Sequence, residues 1–248
     1  MRSVGVPVID DVVDEAVGRR SRPDPVVGDT AGPAGNAQLT AWTGLLLLAL
    51  IIVELVTLLD VRGMLSWHVV VGVLLTAVAA LKIASTGWRI LRYYTGNRPY
   101  QQAGPPPLLL RILGPLVIAG TVAVLASGLW LIAVGPTSGR EQLATVLGQR
   151  IDLLSIHQAS FLVFAVVAGL HVLARLVPSV VLSTGRIHRA ETGRRLRGWA
   201  PRLAIVTAAL AAGALAAALI LPAASGWHDD RDGHDFHRFP PRSAPQHP

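Results

Sequence analysis

Five long apolar runs decide what this chain can fold into. They lie near 41–60, 65–87, 112–134, 153–177 and 203–224. An α-helix of about 20 residues covers a hydrocarbon core of roughly 30 Å, so each run predicts one crossing of a bilayer. The link between the first two, around Asp60–Met64, is tight and predicts antiparallel neighbours. The last run is Ala-rich with few large side chains, and predicts a helix that is peripheral or packed through small residues. The expected fold is an all-α membrane protein, a four-helix transmembrane bundle plus a fifth transmembrane helix.

Composition agrees. The chain of 248 residues is 52% hydrophobic and 15% charged, and its mean hydropathy of +0.50 fits a polytopic helical membrane protein better than a soluble domain. The net charge of +7 sits mostly in segments flanking the apolar runs, which points to lipid headgroups and topology rather than nucleic acid. Sixteen of the 22 Lys and Arg residues fall in 1–40, Lys82–Arg111 and Arg175–Arg202, all on one side of the five crossings. The excess of positive charge puts that side in the cytoplasm of a cell whose inner membrane holds the chain. The expected organisation is therefore a polar, disordered cytoplasmic tail over 1–40 with no signal peptide, and four core helices over 41–177. A basic cytoplasmic loop over 178–202, the fifth helix over 203–224 and a disordered extracytoplasmic tail over 225–248 follow. The stretch 88–111 carries Trp88, Tyr93, Tyr94 and Pro105–Pro107, and its aromatics predict an interfacial belt.

His157 and His171 stand 14 residues apart in the fourth run. Fourteen helical residues turn through about 1400° and rise about 21 Å, so both imidazoles face one side of one helix at two depths. The second and fourth runs cross in the same direction, and their first turns carry His68 and His157, at one common outer depth. Ionisable side chains inside a bilayer are costly and default to functional sites with nameable partners. Imidazole is the commonest biological metal ligand, and helix bundles build cofactor sites from side chains on facing helices. Two depths suggest two metal centres in series, with haem the leading candidate: a porphyrin held edge-on would take one axial nitrogen from His68 and one from His157. Helix–helix hydrogen bonding by the same histidines stays open. The absence of cysteine excludes disulfides, thioether-attached haem and cysteine-held iron–sulfur clusters, and leaves the redox compartment open.

The residues around the histidines carry two readings each. Gly72 and Ala79 on the His68 face, Ala168 on the His157 face, and Gly120, Ser127 and Gly128 on the third run leave room for a flat macrocycle or simply pack helices closely. Phe161 and Phe164 lie between the two histidine depths, as packing or as a relay. Counting 14 on from His68 reaches Lys82, the only lysine among 22 basic residues. It can snorkel to the interface, pair with a haem propionate or quinone oxygen, or ligate an inner haem opposite His171; guanidinium could not do the last. Glu54, in the first run, is either a neutral hydrogen-bonded packing residue or a proton carrier for a quinone. Arg89, Arg92, Tyr93 and Tyr94 suit anionic lipids, haem propionates or a soluble partner. Arg186, Arg189, Arg194, Arg195 and Arg197 form a basic loop of the same kind, in which His188 is solvated. The tail residues His228, Asp229, Asp230, Asp232, His234, Asp235 and His237 form a solvated tract with weak metal-binding character. No P-loop, dinucleotide fingerprint, nucleophile elbow or His-Glu-x-x-His motif occurs.

At His68 and in "HQASFLVFAVVAGLH", His157 to His171, the chain resembles the bacterial membrane-bound b-type cytochromes. Those include the cytochrome b subunits of hydrogenases and formate dehydrogenases. Residues 67–96, "WHVVVGVLLTAVAALKIASTGWRILRYYTG", also resemble a helix of an actinobacterial-type haem-binding family with a His and a Lys 14 apart. The resemblance covers about 41–177. The hydrogenase-type pattern has a histidine on the first span, which this chain lacks. The resemblance implies haem b at His68 and His157, a second haem at His171, and electron transfer between a quinone pool and a peripheral redox partner. It implies an electron-transfer subunit of an oxidoreductase, with a homo-oligomer open, rather than a complete enzyme. The rival reading is a cofactor-free membrane protein, transporter-like or an assembly factor, using the histidines for packing, protons or bare metal; no inverted repeat or broken helix pair supports the transporter form.

Overall fold

The computed structural model describes residues 10, 13, 14, 32–104, 108–184 and 197–227. Five helices are long and apolar enough to cross a membrane, and the chain is a multi-pass membrane protein. Helices satisfy every backbone polar group within the segment, which lipid demands. In order they are α1 (Gly32–Thr57), α2 (Leu65–Tyr94), the short α3 (Arg98–Gln102), α4 (Leu108–Gly139), α5 (Leu153–Thr184) and α6 (Trp199–Ile220). A 3-10 turn, Leu58–Asp60, extends α1, and another, Leu221–Ala224, extends α6.

Four helices surround a common cavity. α1 packs on α2 and α5, and α4 packs on α5 and α2. This places α2 and α5 diagonally across the bundle. The tight turn after α1 makes α2 antiparallel to it: Thr57 meets His68 at one end and Thr40 meets Ser85 at the other. α5 is antiparallel to α4, with Ser127 beside His157 and Gly120 against Phe164. The diagonal helices α2 and α5 therefore run in the same direction, as the sequence requires if His68 and His157 are to share a level.

The fifth span, α6, packs along α2, and small residues make the contact. A Cβ on Gly213 would stand 3.0 Å from Ala77 Cβ and 3.3 Å from the Leu74 backbone, so only glycine allows this approach. Val69, Val73, Ala217 and Ala224 form the buried apolar seam there. Large outward side chains such as Leu173 and Leu219 are left for lipid.

Several expected boundaries are corrected. The 1–40 tail is too long, because α1 starts at Gly32. Pro33 suits a first helical turn, and the polar residues that depress hydropathy there are spent on neighbours. Asn36 donates to the Ser85 carbonyl, and Gln38 and Trp42 donate to the Ser183 carbonyl. The stretch 88–111 is mostly helical: α2 runs on to Tyr94 and stops where Gly96 takes φ +81°. The 178–202 loop shrinks from both ends, since α5 continues through Pro178 to Thr184 and α6 begins at Trp199. α4 is kinked at Gly135 (φ 75°, ψ 177°) just before Pro136, next to the expected end at 134. A small exposed hairpin joins α4 to α5, strand Ala144–Val146 pairing with Gln149–Ile151. Its turn residues Leu147 and Gly148 both have positive φ, as a type I′ turn needs.

Candidate functional site

His68 enters from the first turn of α2 and His157 from the first turn of α5. Their ring centroids are 6.3 Å apart with planes at 86°. Each ring is held by its Nδ1. His68 Nδ1 lies 2.9 Å from Glu54 Oε1 and 3.1 Å from Thr57 Oγ1, both on the last turns of α1. The Thr57 hydroxyl donates its own proton to the Glu54 carbonyl at 2.6 Å, so its oxygen accepts from His68. His157 Nδ1 lies 3.0 Å from Ser127 Oγ on α4. That hydroxyl in turn donates to the Ala123 carbonyl at 2.7 Å, so it too accepts. Both imidazoles are thus assigned as Nδ1–H tautomers, and each Nε2 keeps its lone pair. The Val124 carbonyl on α4 is a further hydrogen-bond acceptor for the His157 ring.

Close approach of α4 seats the second ring. A Cβ at Gly128 would stand 3.1 Å from His157 Cε1. Gly72, one turn along α2 from His68, leaves similar room beside the Glu54 carboxylate, 3.7 Å away. The start of α5 is fixed by a reciprocal cap: Ser155 N–H donates to Asp152 Oδ1 at 2.7 Å, and Asp152 N–H donates to Ser155 Oγ at 2.9 Å. These bonds hold the Asp152 carboxyl below its usual value, the Ser155 backbone N–H being the largest cause.

The bundle encloses a cavity of about 1230 Å³, larger than the usual small-molecule site of roughly 300–1,000 Å³. His68, His157, Lys82 and His171 all line it. The structure thus brings together the two expected first-turn histidines, and puts Lys82 and His171 at the opposite end. Lys82 Nζ donates to the Thr40 carbonyl on α1 at 2.9 Å, while His171 Nδ1 is buried without a hydrogen-bond partner among the described residues. Phe161 and Phe164 line the cavity between the two ends, and Phe164 also packs its backbone on Gly120. Arg92 stacks on Trp88, 5.0 Å from its ring centre, and Tyr93 meets Tyr94 edge to face. Arg186, His188, Arg189, Arg194, Arg195 and the tail from His228 to His237 lie outside the described residues.

Sequence alone marks Glu54 as a packing or proton-carrying residue but not as the partner of His68, and does not mark Thr57. The signal was present: Glu54 and Thr57 are three apart on one helical face, and the tight turn sets Thr57 opposite His68. Ser127 was singled out only as a small residue. Comparison of the chain with protein-family models, with curated proteins and with solved structures gives no match.

Proposed function

We propose that this protein is a membrane-bound b-type cytochrome that holds a haem between His68 and His157 and passes electrons between a quinone pool and a peripheral redox partner. The observation that carries the reading is the pair of neighbouring imidazoles, each hydrogen-bonded through Nδ1, with ring centroids 6.3 Å apart on the wall of one cavity. Carboxylate and hydroxyl partners on Nδ1 orient metal-ligating histidines in this way. The residues present therefore fit the group.

Haem would supply reversible one-electron chemistry at this site. The chain's own residues do the rest. Glu54 and Thr57 fix the plane and tautomer of His68, Ser127 fixes those of His157, and Gly128 lets α4 close over the ring. The apolar walls keep water from the ligands, which tunes potential as much as the ligands do. The distribution of Lys and Arg supports an orientation with the His68 end extracytoplasmic and the N-terminus in the cytoplasm. Lys82 and His171 then face the cytoplasmic half, where a second haem on His171 or a quinone would sit. A bare-metal site is less well supported, since the described residues hold no group of three or more His, Cys, Asp or Glu placed for one ion.

The test is spectroscopic. Protein purified in mild detergent from haem-replete cells should show a sharp reduced-minus-oxidised α-band, and about one or two haems per chain by pyridine assay. A colourless preparation from such cells would overturn the reading and return the histidines to packing or proton handling.

A further inference from the structure

The cavity is electrostatically one-sided. Among the described residues its only acidic lining residue is Glu54, at the His68 end. The far end is lined by Lys82 on α2 and by His171 and Arg175 on α5, one turn apart on a single face. Lys82 has one hydrogen bond, to the Thr40 carbonyl, and no carboxylate partner among the described residues. The bundle has made space for its ammonium: a Cβ at Gly44 would stand 2.9 Å from Nζ. His171 Nδ1, buried at the same end of the cavity, has no hydrogen-bond partner among the described residues. An ammonium half-buried within a bilayer favours an anion beside it, and a buried imidazole nitrogen needs a partner. The walls leading away from this cluster are apolar, from Leu75 and Ala79 on α2 to Phe164 and Ala168 on α5.

We propose that the Lys82 end of the cavity binds the oxyanion head of an amphiphile, a carboxylate or phosphate on a large apolar body. Lys82 and Arg175 supply charge and His171 supplies a directional hydrogen bond, a combination suited to a head with two or more oxygens. Two sources offer this chemistry. One is the pair of propionates on a second tetrapyrrole in this half of the cavity, since a haem between His68 and His157 would lie about 20 Å away along the helices; the other is a fatty acid or acidic phospholipid entering between helices. Only the first rests on the haem reading.

The experiment uses full-length protein as purified in mild detergent. Binding of labelled palmitate is compared with that of hexadecanol, which has the same chain and no charge. Haem transfer to excess apomyoglobin is followed in parallel. If a lipid fills the site, palmitate binds at least tenfold tighter than the alcohol, and Lys82→Met and Arg175→Gln each remove that preference. If propionates fill it, palmitate is excluded, and the same two variants release the second haem at least tenfold faster than the parent. Two variants on different helices keep the test alive should one misfold. No preference for the acid together with unchanged haem release, or no preference in a protein without haem, overturns the proposal. Presence or absence of the α-band separates that failure from failure of the haem reading.

Discussion

Glu54 Oε1 on α1 stands 2.9 Å from His68 Nδ1 on α2, and the second carboxylate oxygen is buried without a partner among the described residues. A carboxylate with so little other solvation acts chiefly on the imidazole, making it a stronger electron donor through Nε2. A ligand of that kind favours the oxidised metal. Glu54→Gln keeps an oxygen to accept the Nδ1 proton but removes the charge. Its haem should therefore be retained with a more positive midpoint potential, by on the order of 60 mV for a tenfold change in the redox equilibrium. Redox titration of the α-band reads this directly. An unmoved potential would mean that the carboxylate exerts no pull on the ligand.

The two first-turn histidines should act as one site. His68→Ala and His157→Ala should each abolish the same α-band, while His171→Ala, at the other end of the cavity, should leave it in place. Haem content and helical circular dichroism measured together separate ligand loss from unfolding. Survival of the full signal in His157→Ala would break the pairing.

Gly128 offers a steric test. Its missing Cβ would lie 3.1 Å from His157 Cε1, so Gly128→Val must push the ring away from the cavity. Haem affinity should fall at least tenfold. Gly87 on α2 has nothing within 4 Å, so Gly87→Ala should keep the haem and gain about 0.5–1 kcal/mol of helix stability. Pyridine haem assays and thermal melts of the pair distinguish crowding of the ligand from a general intolerance of larger side chains.

The five crossings and the shared level of His68 and His157 were legible because hydropathy and helical pitch are local properties of the chain. The ends of the spans were not. Asn36, Gln38 and Thr40 read as tail because nothing in their own segment shows that Ser85 and Ser183 will take up their polar groups. The roles of Thr57 and Ser127 were hidden for the same reason: each depends on which helix lies beside it. Thr57 could have been found from the turn at Asp60–Met64, which fixes the register of α1 on α2. Ser127 could not, since the kinked end of α4 and the hairpin leave its register on α5 unset until the fold is known.

Asp152 links the solvent-exposed start of α5 to the site five residues on. Its carboxyl is held below 3.8 by the Ser155 cap, so the native state favours the ionised form. The stabilisation is present above pH 3.8 and is lost as pH falls through the lower folded value. Solvent screening keeps it small. Asp152→Ala should cost about 1 kcal/mol near neutral pH, in line with other N-caps, and the gap to the parent should narrow below that window. Asp152→Asn should retain most of the cap and flatten the pH dependence. Thermal unfolding of the three proteins at pH 7 and pH 3 checks both statements, and parallel melting curves at every pH would remove the carboxylate from the account.

The fifth helix should be separable from the haem. A side chain at Gly213 meets Ala77 and the backbone of Leu74, and backbone cannot move aside, so Gly213→Leu should loosen α6 at a cost of about 1–3 kcal/mol. Arg202 NH1 still donates to Gln38 Oε1 at 2.9 Å, tethering the first turn of α6 to α1. The loss should therefore be confined to the half of α6 near Ala217. Because the chain has no cysteine, the pair Val73→Cys and Ala217→Cys, both in the buried seam, reports on that half alone. A short thiol-reactive cross-linker should join them in the parent background and fail in Gly213→Leu, with the α-band unchanged in both. Loss of haem along with the cross-link would show that α6 belongs to the cofactor-holding bundle rather than packing against its outside.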